Sequence, residues 1–455
     1  MVLADRSARR EINATHARAD AVRLVTGQGC PACRYRDDAV GHWVSAFVNE
    51  SHTEPDVIGG VIRAGGGCAR HLRRLATDDS AAWLMGNVLD PVARGVLSGR
   101  VVAGSARACP LCRQEQVATG RLLALLDRML GSSEVLAAYR EGGGLCLAHT
   151  VELVDLARPR VAVLVAELAV ERLAATDPDD PSRGFDLLTG VDQDADRRAR
   201  LGAAAERLAS TEAEQLTGTD PLGVLQADLD VPACPLCRAR ARGEWRYLAW
   251  LRRPEGPARP VEEDAVLCSA HHHDLVTSHD GVPGSGWVTT VTARRHEGLL
   301  AGFARSTATL PRDPWRSSRR QRSALARLHL APGCRACRAG RTAVARTGAL
   351  LCLAVDDASI AKRYATCQGV CARCAADWAT TVGGGTPPTV ADRMRAVLGL
   401  VGFDLAELNR KTSWTVRYEP KGVEMGSWRP ALAVLDGQVL GGLGVREAVE
   451  QGFWQ

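Results

Sequence analysis

The chain has 455 residues, 46% of them hydrophobic, 24% charged and only 4% aromatic, with a net charge of +5. That length is too great for one compact core and predicts two to four folding units. No run approaches 18–20 uncharged apolar residues, which argues against a membrane span, and the first twenty residues lack the apolar centre of a secretory signal, so a reducing cytoplasm is the expected compartment.

In chain order, the first feature is the pair Cys30/Cys33, followed by apolar residues at helical spacing (Val40, Trp43, Val44, Phe47, Val48). A Gly65–Gly67 run then leads into Cys68/His71, and glycine permits the positive-φ backbone of a tight turn. Cys109/Cys112 opens a second such run through Val117, Leu122, Leu125, Leu126, Met129 and Leu130. Ser133-Glu134 starts a further helix, and Gly142–Gly144 precedes Cys146/His149, after which Leu147, Val151 and Val154 continue the helical period. The segment TDPDDPSRG (Thr176–Gly184), which has the composition of a linker, overlaps the start of the Asp-rich stretch Asp177–Asp196. A helix is predicted near Ala195–Leu216. Cys234/Cys237 and Cys268/His271 form the third unit. An Arg-rich segment, Arg305–Arg346 with RSSRRQR at Arg316–Arg322, approaches the fourth unit, Cys334/Cys337 with Cys371/Cys374. Period-2 alternation is confined to Gly281–Thr292 and Ser413–Tyr418, the two places where a short strand is expected.

The repeat is the strongest signal. The first pairs read CPAC, CPLC, CPLC and CRAC, each followed by Arg (Arg34, Arg113, Arg238, Arg338), and the second pairs follow after 34, 33, 30 and 33 residues. Thirteen of the fifteen cysteines belong to the pattern. A tetrahedral metal needs four soft or borderline ligands, and two residues separated by two others deliver a ligand pair from one turn. Consecutive pairing predicts four clusters: Cys30, Cys33, Cys68 and His71; Cys109, Cys112, Cys146 and His149; Cys234, Cys237, Cys268 and His271; Cys334, Cys337, Cys371 and Cys374. Three would be Cys₃His and one Cys₄. This ligand set suits about four zinc ions per chain, with iron–sulfur clusters as the alternative. Each metal would clamp the two ends of its own helical hairpin.

Competing readings of these cysteines are weaker. The odd count, the length and the absent signal argue against a disulfide framework. A thioredoxin-type motif needs one Cys-x-x-Cys in a βαβ setting, not four with partner pairs. His271 begins the triple His271-His272-His273; register selects His271, and His272 is the substitute. His42, His52, His296 and His329 stand alone and read as ordinary residues. Cys352, in the run ALLCLAV, reads as a buried small hydrophobe. Cys367 is either a spare thiol or a competing ligand.

The predicted architecture is mainly α: tandem zinc-clamped helical hairpin units arranged as two halves, with little strand. The expected segments are 1–100 (zinc unit 1), 101–175 (zinc unit 2), 176–230 (acidic linker and helix), 231–300 (zinc unit 3), 301–330 (Arg-rich linker) and 331–455 (zinc unit 4 with a C-terminal helix and tail). The CPxC-R…GGxCxxH repeat, with the tail Arg410-Lys411, Trp414, Glu419-Pro420-Lys421-Gly422 and Ser427-Trp428-Arg429, resembles an uncharacterised group of bacterial helical proteins with tandem metal-binding units. The resemblance covers the four units and the tail; the fourth unit departs from it with CRAC and with Cys374 in the histidine position. It implies the metal sites and the helical fold, and no activity.

No P-loop, H-E-x-x-H, G-x-S-x-G or dinucleotide fingerprint is present, and four protein ligands per metal leave no open position for a substrate. The expected function is therefore a non-enzymatic, multi-module zinc scaffold or adaptor that binds a protein partner. Two alternatives are a nucleic-acid-binding protein using the 305–346 Arg-rich stretch, and a redox protein, either an iron–sulfur electron carrier or a zinc-thiolate sensor. The positive charge comes almost wholly from Arg in an Ala-, Gly- and Val-rich composition, with Lys only at Lys362, Lys411 and Lys421. This pattern weakens the nucleic-acid reading. Trp414, Tyr418 and Trp428 are assigned either to packing under the last helix or to a recognition surface.

Overall fold

The computed structural model describes residues 15–27, 29–68, 71, 82–101, 109–175, 187–188, 220–231, 233–251, 267–268, 271–272, 275, 284–308, 333–378, 382, 386–413, 415–416 and 418–436. The described residues are mainly α-helical, and no strand occurs among them. A helical stretch at 15–25 is followed by α1 (Pro31–Asn49), a 3₁₀ turn (Ser51–Thr53), α2 (Pro55–Arg63) and α3 (Ala82–Leu97). Next come α4 (Pro110–Met129), α5 (Ser133–Glu141), α6 (Leu147–Leu156) and α7 (Pro159–Ala174). The second half of the sequence supplies α8 (Pro221–Leu229), α9 (Pro235–Leu251), α10 (Gly284–Ala308), α11 (Arg335–Ala354), α12 (Ala358–Thr366) and α13 (Ala372–Ala376). It ends with α14 (Pro388–Thr412), a 3₁₀ turn (Val423–Gly426) and α15 (Trp428–Asp436).

The proline of each CPxC motif has a structural reason. Pro31, Pro110 and Pro235 are the first residues of α1, α4 and α9, where a missing N–H costs nothing and the fixed φ is already helical. The cysteine before each proline is the residue where the helix begins: Arg34, Arg113 and Arg238 N–H donate to the carbonyls of Cys30, Cys109 and Cys234. Elsewhere, Asp220 caps α8 through the Leu222 N–H, and Asp357 caps α12 through the Ser359 and Ile360 N–H groups.

The chain folds as two compact units, and neither is a consecutive stretch. One comprises Met1–Ala39, Glu115–Ala199 and Tyr247–Ala336; the other comprises Val40–Gln114, Arg200–Arg246 and Cys337–Gln455. Four of the five crossings between them therefore fall inside α1, α4, α9 and α11, the helices that carry a Cys-x-x-Cys; the fifth, between Ala199 and Arg200, lies outside the described residues. The six consecutive segments read from the sequence do not share these boundaries. In the first unit, Leu122, Leu123, Leu126 and Leu130 of α4 and the turn after it pack with Val161 and Val165 of α7 and with Leu300 and Phe303 of α10. In the second, Leu84, Val88 and Val92 of α3 pack with Val397, Val401 and Leu405 of α14 and with Ala431 and Leu435 of α15. Gly86 lets α3 and α14 approach: a Cβ there would lie 2.8 Å from Leu408 Cδ2 and 2.6 Å from Asn409 Oδ1.

Both expected strands are corrected. Residues 284–292 of the stretch Gly281–Thr292 belong to α10, because Val288, Thr289 and Thr292 also fit a helical period that Ala293, Leu300 and Phe303 continue into the core. Packing of that face overrides the β preference of Val and Thr. In Ser413–Tyr418, Ser413 terminates α14 and Thr415 and Val416 form a turn; Trp414 lies outside the described residues. So do most of the acidic stretch, the predicted helix near Ala195–Leu216, and residues 309–332 of the Arg-rich segment.

The tail motif acts as a staple. Lys411 Nζ donates to the Pro420 carbonyl at 2.8 Å and to Glu424 Oε1 at 3.0 Å, while Arg410 bridges Glu407 and Glu419. Trp428 is buried in the core beneath the Arg429 guanidinium, which lies 4.8 Å from its ring centroid, whereas Tyr418 is 82% exposed.

Asp228 on α8 is fully buried and neutralised by two guanidiniums of α9. Arg238 Nε and Arg242 Nη1 each lie 3.0 Å from its Oδ1, and Arg242 Nη2 binds its Oδ2. Replacing Asp228 with Ala takes the buried anion away from two part-buried guanidiniums. Breaking a buried pair from one side costs about 3–5 kcal/mol, so Asp228→Ala should lower the urea midpoint accordingly. An unchanged midpoint would show that the pair contributes nothing.

Candidate metal centres

The sixteen ligand residues named from the sequence do come together in four groups, but with different partners. The groups are Cys30, Cys33, Cys146 and His149; Cys68, His71, Cys109 and Cys112; Cys234, Cys237, Cys371 and Cys374; and Cys268, His271, Cys334 and Cys337. Within each group the ligand atoms all lie within 4.8 Å of one another. Consecutive pairing is therefore corrected to nested pairing. In each half of the sequence the first ligand pair joins the fourth and the second joins the third. The composition survives the change: three Cys₃His groups and one Cys₄ group.

Helix direction explains the nesting. Arg36 of α1 reaches Glu115 of α4 at 3.7 Å, and one turn further along α1 Val40 packs with Leu111, one turn back along α4. The two helices are thus antiparallel. Each carries its Cys-x-x-Cys at its N-terminus, so the two motifs lie at opposite ends of the helix pair; Cys68 packs with Cys109 and Leu111, and Cys146 with Cys30 and Cys33.

All four groups use the same local device. Cys146 and Cys371 are N-cap residues, and His149 and Cys374 sit in the first turns of α6 and α13. The His71 N–H donates to the Cys68 carbonyl at 3.0 Å, and the His272 N–H to that of Cys268 at 2.9 Å. Ligands therefore converge from two helix N-termini, where partial positive charge favours thiolate over thiol.

The distances fit a tetrahedral ion. Zinc bonds of about 2.3 Å to sulfur and about 2.0–2.1 Å to nitrogen imply S···S edges of about 3.8 Å and S···N edges of about 3.5 Å. Cys33 Sγ lies 3.9 Å from Cys146 Sγ, and His149 Nδ1 lies 3.4, 3.5 and 3.2 Å from the sulfurs of Cys30, Cys33 and Cys146. His71 Nδ1 lies 3.3, 3.4 and 3.4 Å from Cys68, Cys109 and Cys112. Cys237 Sγ lies 3.9 and 3.5 Å from Cys371 and Cys374, and His271 Nδ1 lies 3.2 and 3.3 Å from Cys268 and Cys334. All three histidines present Nδ1.

The protons of these groups are shared. Burial opposes ionisation of Cys30, but hydrogen bonds from Cys146, Cys33 and His149 hold it well below the ordinary thiol range. Hydrogen bonding to Cys146 and Cys30 pushes Cys33 the other way. Burial disfavours the His149 cation, yet the sulfurs of Cys146 and Cys30 raise it to about 10. Cys109 is lowered to about 7 by its hydrogen bond with Cys68. Closely packed thiols cannot all ionise unless a cation joins them, so metal uptake must release protons.

Two groups share a support that the sequence reading missed. Tyr139 Oη accepts the Leu145 N–H at 3.1 Å, and Tyr364 Oη accepts the Val370 N–H at 3.2 Å, each just before the ligand pair. Both tyrosines are buried. Gly144 (φ 63°) and Gly369 (φ 78°) make the turn between tyrosine and cysteine. Arg172 Nη1 donates to the Leu145 carbonyl at 3.1 Å, and Arg393 Nε to that of Cys367 at 2.8 Å. The signal was the tyrosine seven residues before Cys146 and Cys371, in YREGGGLC and YATCQGVC.

The remaining residues separate cleanly. His271, not His272, joins the fourth group; His272 is buried with Nε2 3.3 Å from Thr289 Oγ1. His296 Nδ1 lies 2.8 Å from the Thr292 carbonyl, and His52 Nδ1 lies 3.2 Å from that of Phe47. His42 is exposed on α1, and His273 and His329 lie outside the described residues. Cys367 is buried outside any group; it accepts the Gly369 N–H at 3.1 Å and its thiol is pushed up to about 11, chiefly by burial. Cys352 is half-buried rather than buried, because Leu351 takes the core side of α11 and Leu353 is 83% exposed.

Comparison with protein-family models, curated proteins and solved structures finds no match.

The nested pairing is directly testable. Cys33→Ser with Cys146→Ser removes ligands from one group, whereas Cys33→Ser with Cys68→Ser disables two. Native mass spectrometry should find one metal lost in the first double variant and two in the second; consecutive pairing requires the reverse. Thiol reactivity provides a second check. In the folded, metal-loaded chain Cys352 should be the cysteine alkylated first by iodoacetamide, and the ligand cysteines should follow only after chelation. Cys367, neutral and buried, should react only on unfolding, and its rapid labelling in the folded chain would contradict this assignment.

Proposed function

We propose that this chain is a zinc-stabilised helical scaffold, a non-enzymatic protein whose metals are structural and whose surfaces bind a protein partner. The observation that carries the reading is closure: each group supplies four soft or borderline ligands at tetrahedral spacing. A catalytic zinc keeps one position for water or substrate; a structural zinc does not. Zinc suits the mixture of three Cys₃His groups with one Cys₄ group better than iron–sulfur chemistry does. No helix among the described residues is long and apolar enough to cross a membrane, and a reducing cytoplasm would keep the thiols available to metal.

The scaffold reading follows from where the metals sit. Cys30, Cys33 and Cys146 belong to one hydrophobic core cluster, and Cys234, Cys371 and Cys374 to another. Metals so placed would join helices. The resemblance to bacterial proteins with tandem CPxC…CxxH units agrees with this role.

Purified chain should carry about four zinc ions and no visible iron–sulfur absorption. Removing the metal with a strong chelator should abolish most helical circular dichroism, because structural zinc contributes about 10–16 kcal/mol in small modules. Fully helical metal-free protein would remove the structural role. For the scaffold role, immobilised metal-loaded chain should retain a saturable protein partner that is released on chelation. A chain that holds its zinc and retains nothing would defeat the scaffold reading and leave the metal reading standing.

A further inference from the structure

Among the described helices, α14 alone carries two of the exposed large apolar residues. Its core face is fixed by Val390, Val397, Leu398, Val401, Leu405 and Leu408, all buried. On the opposite side, Leu400 is 63% and Phe403 73% exposed, on a helix whose other face packs well. Ala396, Gly399 and Ala406 share that exposed side. A Cβ placed on Gly399 or Gly402 would meet nothing within 4 Å, so the backbone itself is open to a neighbour there.

The order of these residues identifies the neighbour. Asp392, Ala396, Gly399, Phe403, Ala406 and Arg410 follow one another at spacings of four, three, four, three and four, the seam of a two-helix coil. The seam is also self-complementary when reversed. Set antiparallel to a copy of itself about residue 401, it places Phe403 on Gly399, Ala396 on Ala406 and Asp392 on Arg410, each twice by symmetry. A large apolar side chain meets the one position with none, and each end joins a carboxylate to a guanidinium. We propose that the exposed face of α14 is a two-fold interface with a second copy of this chain, its helices packed antiparallel at close range around Phe403 and Gly399.

Asp392 and Arg410 have partners within their own chain, Arg395 for the first and Glu407 and Glu419 for the second. These pairs are exposed, so they hold the side chains near the seam without removing them from reach, and a guanidinium with five N–H donors serves more than one carboxylate. A pair of single helices buries little area by the standards of stable complexes, so the dimer should be a weak one, with a Kd on the order of micromolar.

Sedimentation velocity of full-length, metal-loaded chain from about 1 to 100 µM should show a concentration-dependent monomer–dimer exchange. Phe403→Glu changes an exposed residue and should leave the circular dichroism melt intact while weakening dimerisation at least tenfold. Asp392→Arg and Arg410→Asp should each weaken self-association, because each places like charges at both ends of the seam. Mixing those two variants should restore a heterodimer, since both ends of the mixed seam then join an arginine of the first variant to an aspartate of the second. A chain that stays monomeric to 100 µM overturns the proposal, as does a dimer that persists unchanged in Phe403→Glu. If deleting residues 437–455 turns a monomeric chain into a dimer, the chain's own tail covers the face and the proposal also fails.

Discussion

Four thiolate and imidazole ligands meeting at two helix N-termini form the constraint on which the rest of this structure depends. Thiolates 3.5–3.9 Å apart in a buried site repel one another, so without a cation to join them the groups retain protons. A divalent cation would convert that liability into a junction. Aromatic residues are only 4% of the sequence, and alanine is frequent among the buried residues. Small residues allow close approach but bury little area per contact, so hydrophobic transfer alone secures such helices weakly. Metal coordination at the four groups would add what such side chains do not.

Nesting changes what the metals accomplish. Were each ion to clamp its own hairpin, the units would be independent beads, each able to form without the others. In the observed pairing Cys33 closes on Cys146, 113 residues away, and Cys237 on Cys374, 137 residues away. These outer closures enclose the inner ones, Cys68 with Cys112 and His271 with Cys334. The inner ligands are closer in sequence and carry less loop-closure entropy, so their closure favours the outer by shortening the chain that remains free. The same antiparallel helix pair that separates the two Cys-x-x-Cys motifs fixes this hierarchy.

Much of the site could be read from residues alone, and the part that could not has a definite cause. Ligand identity is a local property: Cys-x-x-Cys with Pro at the first helical position specifies two sulfurs on one turn wherever that turn goes. All sixteen ligand positions named from the sequence meet in groups of four, including His271 from a run of three histidines. Partner choice is a property of topology. The spacing of about thirty residues reports a repeated segment, and repetition by itself does not say whether each segment closes on itself. Only the Arg36–Glu115 and Val40–Leu111 contacts show that the two copies run antiparallel and exchange their ends. The α10 strand expectation failed for a related reason, since Val288 and Thr292 satisfy both periods and only the packing of Leu300 and Phe303 further along decides between them. Tyr139 and Tyr364 were visible in sequence, but a tyrosine seven residues before a ligand acquires meaning only once its hydroxyl is found on a backbone N–H.

The one group without histidine shows how far the duplication tolerates change. With zinc, three thiolates and an imidazole leave a net charge of −1, whereas four thiolates leave −2, a heavier cost in a buried site. The Cys₄ group nevertheless lies against some of the most buried residues of the chain, with Cys234, Cys371 and Trp378 all inaccessible. Backbone dipoles face that charge. The Cys374 N–H points at Cys371 Sγ from 3.4 Å, and ligands enter from the N-termini of α9 and α13. Arg393 holds the Cys367 carbonyl at the foot of the same turn, in the place Arg172 occupies beside Leu145. The tyrosine, the positive-φ glycine and the arginine are common to both outer groups while the fourth ligand differs. The turn is thus built the same way beside a histidine and beside a cysteine, and its geometry does not depend on which of the two completes the group.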